Sequence, residues 1–116
     1  MKHIILENKK YEIIWSPKAH RNIQEIYAFT IEKLGNERYA IKIVKKILKA
    51  INSLRLFPFM YPKIYIDRKF KRQLRRATVG KYAVIYEVKN NKILILYIFH
   101  ENQNYLNLLL NQENLN

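Results

Sequence analysis

The stretch LRRATVGKYAVIYEVKNNKILILYIFHENQNY, residues 74–105, decides the fold. It divides into three strand-length segments, 74–79, 82–89 and 92–99, joined by the dipeptides Gly80-Lys81 and Asn90-Asn91. Gly and Asn accept the positive φ angles that tight hairpins require, so this spacing predicts three antiparallel strands in a meander. Residues 93–99, ILILYIF, are apolar at every position rather than every second one. That pattern predicts a strand covered on both faces and therefore interior to its sheet. Polar chemistry collects at the ends of the meander: Arg72, Arg75 and Arg76 where the chain enters, and His100, Gln103, Asn104 and Tyr105 where it leaves.

Upstream, Tyr11, Ile13 and Trp15 alternate with Glu12 and Ile14, the pattern of a strand with one apolar face. Ser16-Pro17 then supplies an N-cap and a first-turn proline, and Gly35 a C-terminal stop. Between them Ala19, Ile23, Ile26, Thr30 and Leu34 recur at helical spacing and predict one buried stripe. Asn36 caps a second helix, in which Ala40, Val44, Ile47, Ile51 and Leu54 repeat the pattern. Its opposite face carries Arg38, Lys42, Lys45, Lys46, Lys49 and Asn52, a basic solvated surface. Residues 55–67, RLFPFMYPKIYID, break the periodicity with two prolines and hold four aromatic residues. They predict an ordered loop packed as a lid over one edge of the core, because so many apolar side chains avoid water. The order strand, two helices, meander predicts an α+β two-layer sandwich with the helical hairpin on one sheet face. The Asn/Leu-rich tail predicts a short C-terminal helix through Leu106, Leu109 and Leu110.

The 116 residues predict a single domain with its core over about 11–110. No cysteine is present, which removes disulfides, thiolate metal sites and a cysteine nucleophile. The N-terminus does not resemble a secretory signal and the apolar runs are strand-length, so a cytoplasmic protein with no membrane partner is expected. With 22 Lys and Arg against 9 Asp and Glu, the net charge is +13, enough to attract polyanions or an acidic protein. Eight of those cations fall within residues 63–81: Lys63, Arg68, Lys69, Lys71, Arg72, Arg75, Arg76 and Lys81.

Histidines at 3, 20 and 100 show no metal-ligand spacing, and the two glycines at 35 and 80 are both explained by turns, so no metal, cofactor or phosphate loop is implied. RNA cleavage without a metal, or binding alone, remains. Such cleavage requires a base, cationic donors for the phosphorane and an acid. Arg75 or Arg76, His100, Glu87 and Tyr105 carry the right groups. Each also has a structural reading. Arg75 and Arg76 alternate across their strand, an edge strand in this reading, and cannot serve one site together. They equally suit a solvated or partner-binding surface, Glu87 is expected to face solvent, and His100 could simply cap a buried strand. Tyr82 and Tyr86 share a face with Val84 and Val88 and belong to the core.

The order of these features resembles the RelE/ParE family of toxins from type II toxin–antitoxin modules. The resemblance rests on Ser16-Pro17-Lys18-Ala19 after a first strand, two helices closed by residues 54–58, then Arg76, Gly80, Tyr82, Tyr86 with Val88, residues 93–98, and His100 with Gln103-Asn104. It implies a bacterial, often plasmid-borne, growth-inhibiting toxin neutralised by an acidic antitoxin that wraps around it. The target it implies is DNA gyrase in the ParE-like branch, or the ribosome and its mRNA in the RelE-like branch. RelE-like nucleases carry Arg after the Gly-x-Tyr tyrosine, where this chain has Ala83, and a basic residue beyond the last strand, where it has Gln103. The resemblance therefore leans toward the gyrase branch. If the chain is instead a ribonuclease, the resemblance assigns catalysis to Arg76, His100 and Tyr105. Target or RNA contacts would fall to Arg68, Lys69, Lys71, Arg72, Arg75 and Lys81. A basic nucleic-acid-binding module without toxicity is the third reading.

Overall fold

The computed structural model describes residues 10–102. Strand β1 (Glu12–Trp15) leads into helices α1 (Pro17–Leu34) and α2 (Glu37–Ser53), followed by β2 (Lys63–Asp67), β3 (Arg72–Val79), β4 (Tyr82–Lys89) and β5 (Lys92–His100). The strands form one open sheet in the order β1-β5-β4-β3-β2. Strand β1 runs parallel to β5, with Ile13 beside Ile93 and Trp15 beside Ile95, and the remaining pairs are antiparallel. The architecture is α+β, with both helices on one sheet face. None of the described helices is long and apolar enough to cross a membrane.

The caps form where the residue types place them. Ser16 Oγ accepts from Ala19 N–H at 2.9 Å and donates to the Leu96 carbonyl at 2.9 Å, so one hydroxyl both starts α1 and fastens it to β5. Leu96 is the extra residue of a bulge in β5: Ile85 pairs with Tyr97 while Tyr86 pairs with Ile95. Gly35 ends α1 at φ 59°, its N–H on Ile31 O at 2.7 Å, and Asn36 Oδ1 accepts from Tyr39 N–H to begin α2. Gly80 and Asn90 hold the two expected hairpin turns, each at φ 58°.

Two apolar clusters fill the sheet's faces. Under the helices lie Ala19, Ile47, Ile51, Leu54, Ala77, Val84, Tyr86, Ile93, Ile95 and Ile98, flanked by Tyr11, Ile13 and Trp15. On the other face Leu74, Ala83, Ile85, Tyr97 and Phe99 pack together with Ile64, Tyr65 and Leu96. Strand β5 therefore buries side chains on both faces, as its unbroken apolar run requires.

Four expectations change. Residues 63–67 are not lid but strand β2, hydrogen-bonded to β3, so the meander has one more strand and β3 is not an edge. The preceding loop packs only in part: Pro58 is buried, while Leu56, Phe57, Phe59 and Met60 are about half or more exposed. The buried stripe of α1 ends at Thr30, because Leu34, in the last turn, borders the open cavity beside the β3–β4 turn and is exposed. Glu87 does not face solvent. It is buried on the second face, where it meets Arg72. The expected C-terminal helix, with Gln103, Asn104 and Tyr105, lies outside the described residues.

Candidate functional site

Strand alternation distributes the cations and the imidazole. On β3, Leu74 and Arg76 point to the second face and Arg75 and Ala77 to the helix face. The Arg76 guanidinium rests over the Phe99 ring, 5.8 Å from its centroid. His100, the next residue after Phe99, turns to the helix side and meets the Tyr82 ring edge-on, with centroids 5.4 Å apart. Arg76 and His100 are thus held on opposite faces of one sheet.

His100 and Tyr82 line a cavity of about 360 Å³ between the two helices and the β3–β4 turn, with Phe29, Tyr39, Lys33 and Lys46 around it. The Asn102 N–H donates to His100 Nδ1 at 3.2 Å, which in the neutral ring leaves the proton on Nε2. A second depression of about 490 Å³ adjoins it, also touching Phe29, Tyr82 and His100. The cavity offers aromatic walls and an ammonium rim, a setting for binding an anion or an acidic side chain.

The other polar candidates are committed to structure. Arg72 Nε stands 3.6 Å from Glu87 Oε1, so that carboxylate is sealed in an ion pair and is not placed to act as a base. Arg75 donates to the carbonyl of Tyr61 at 2.7 Å and covers the Phe59 ring at 5.1 Å, which ties the loop after α2 to the sheet. Tyr86 donates to the Pro58 carbonyl at 2.8 Å, and burial pushes its phenol up to about 12 against the lowering effect of the Arg75 charge. Arg68, Lys69 and Lys71 crown the β2–β3 turn, where Asp67 Oδ1 accepts from the N–H groups of Lys69 and Phe70. Lys81 lies at the far end of β3, in the β3–β4 turn. The basic run of residues 63–81 is therefore split between the two ends of a strand rather than gathered in one patch.

An apolar ledge lies along β2 and the loop before it. Phe57, Phe59, Met60, Ile66 and Phe70 are each more than half exposed. Phe57, Phe59 and Met60 come from the aromatic loop between the prolines, Ile66 from β2 and Phe70 from the turn that follows it.

A family model described as the ParE toxin of the type II toxin–antitoxin system parDE matches residues 13–105. The chain belongs to the ParE toxin family. No curated protein sequence matches it. Among solved structures, this ParE-family toxin is similar to a chain of the chromosomal ParDE toxin–antitoxin system from P. aeruginosa. That pair has a TM-score of 0.65 and 20% identity over 78% of this chain and 96% of the other. It is also similar to a chain of the archaeal RelE–RelB complex from Pyrococcus horikoshii OT3, at a TM-score of 0.56 and 18% identity over 82% and 99% of the two chains. These likenesses establish the shared fold.

Proposed function

We propose that this toxin arrests growth by acting on DNA gyrase, without cleaving RNA, and is neutralised by a cognate acidic antitoxin. The observation that carries the reading is the separation of Arg76 from His100 by the sheet. Cleavage of RNA without a metal needs a proton-transfer group and a cationic donor converging on one phosphate, and loss of one such donor typically costs on the order of a hundred- to a thousand-fold. Here the candidate imidazole faces the helices and the candidate guanidinium faces away from them. Ala83 after Tyr82 leaves a further expected cationic position empty. The antitoxin is supported by the partners named in the similar solved complexes, and by a ledge of exposed Phe57, Phe59, Met60, Ile66 and Phe70 on a chain of net charge +13. An acidic amphipathic segment would cover those rings and answer that charge.

Induction should produce filamentation and DNA-damage signalling, with loss of gyrase supercoiling in vitro and no early codon-linked cuts in translated mRNA. Primer extension on a translated message within minutes of induction is the deciding measurement. Ribosome-dependent cuts that vanish in His100→Ala or Arg76→Ala would replace this reading with the ribonuclease one. Expressed without its antitoxin, the full chain should be poorly tolerated or poorly soluble, and normal growth with a soluble monomer at high expression would count against the antitoxin reading. Replacing Phe57 and Phe59 by Ser should weaken antitoxin binding, and unchanged binding would move the interface off the ledge.

A further inference from the structure

Helix α2 carries a second feature that the ledge and the cavity do not use. Arg38, Lys42, Lys45 and Lys49 follow one another at spacings of four, three and four residues, so they project as a single straight stripe about 16 Å long at 1.5 Å rise per residue. All four are exposed, and the stripe is diametrically opposite the buried Ala40, Ile47 and Ile51. None of the four forms an ion pair among the described residues. Within the helix they are one another's neighbours: Arg38–Lys42 and Lys45–Lys49 are like-charged pairs four residues apart, which disfavours the helix. Glu37 accepts from Tyr27 across the helical hairpin and does not offset the stripe. The stripe thus concentrates positive charge along a line, and past Glu37 the helix holds no acid to compensate it.

We infer that this stripe is a docking surface for the phosphate backbone of duplex DNA. A rigid helix presenting four cations in a line matches a rigid polyanion, which carries one negative charge per about 1.7 Å of duplex axis. Single strands are bound largely by stacking on aromatic side chains, and the stripe has none. The contacts are to phosphates, so binding is independent of base sequence. Duplex binding rests on the stripe alone; the choice of DNA over RNA rests on the gyrase reading, in which toxin and DNA meet on one enzyme.

The test is fluorescence anisotropy of a labelled DNA duplex of about 20 base pairs, titrated with the refolded full chain between roughly 50 and 200 mM salt, the range over which phosphate contacts weaken most visibly. With four phosphates neutralised, the slope of log affinity against log salt should include about −3.6 from the stripe, at about −0.9 per contact. Combined Arg38→Gln, Lys42→Gln, Lys45→Gln and Lys49→Gln substitution should remove that share and weaken binding at least about ten-fold at the low-salt end. A variant of equal net charge, with Lys10, Lys18, Lys89 and Lys92 changed to Gln, should keep both slope and affinity. Unchanged binding in the stripe variant overturns the inference, as does equal loss in the control or tighter binding to an RNA duplex or a single strand. Gyrase inhibition that survives without DNA binding overturns this inference and leaves the target reading standing. DNA binding without gyrase inhibition does the reverse.

Discussion

At Tyr86 a single hydroxyl joins the core to the loop after α2. Its ring is fully buried and its O–H reaches the Pro58 carbonyl at 2.8 Å, so Tyr86→Phe should cost about 1–3 kcal/mol by leaving that buried acceptor unpaired. The pH dependence has a definite sign. Burial raises the phenol from 10.0 to about 12 in the folded chain, so its contribution to stability is complete below pH 10 and is lost as pH rises from there toward 12. Thermal melts from pH 9 to 12 should therefore fall more steeply in the native chain than in Tyr86→Phe, and parallel curves would refute the assignment. Arg76 makes a different case. Packed over Phe99 on an interior strand, it should cost about 1 kcal/mol when changed to Ala through lost packing and cation–π attraction. An effect on growth inhibition must accordingly be read against a measured melting temperature.

Elements obey their caps. Ser16→Ala removes the first-turn bond to Ala19 and the bond to the Leu96 bulge together, and should destabilise the chain by about 1–2 kcal/mol, with Ser16→Thr restoring most of it in denaturant melts. Both helices, three strands of the meander and the first strand were legible in the sequence, because Ser16-Pro17, Gly35, Asn36, Gly80 and Asn90 each punctuate a periodic segment. Strand β2 was not. It is short, follows Pro58 and Pro62, and holds its place through pairing with β3, a tertiary cause that no local pattern announces. Glu87 misled for a related reason: one polar residue among Tyr82, Val84, Tyr86 and Val88 suggests a solvent face, yet Ala83 and Ile85 beside it already marked that face as apolar. The candidate site was legible as residue types. Its division between two faces required knowing that Arg76 lies opposite Ile85 and His100 opposite Tyr82.

The whole molecule depends on β5, which touches β1 on one side and β4 on the other and carries Ile95 at the centre of the helix-facing core. Ile95→Ala should lower stability by about 2–5 kcal/mol through the cavity it leaves, far more than any exposed substitution on the ledge. Urea melts of Ile95→Ala beside Ile66→Ala would show this contrast, and equal losses would mean that the ledge is not exposed. The parallel pairing of β1 with β5 has a further consequence. Residues 12–15 find their partners at 92–95, so the first of the described strands is completed only by the last of them. Closing so long a loop is entropically costly and comes late, after the local hairpins. On the ribosome, the nascent N-terminal strand must wait unpaired while the helices and the meander are made, and the sheet cannot close until translation has passed β5. Closure of that edge is therefore timed by the synthesis of β5: a polypeptide truncated before residue 92 would lack the partner of strand β1.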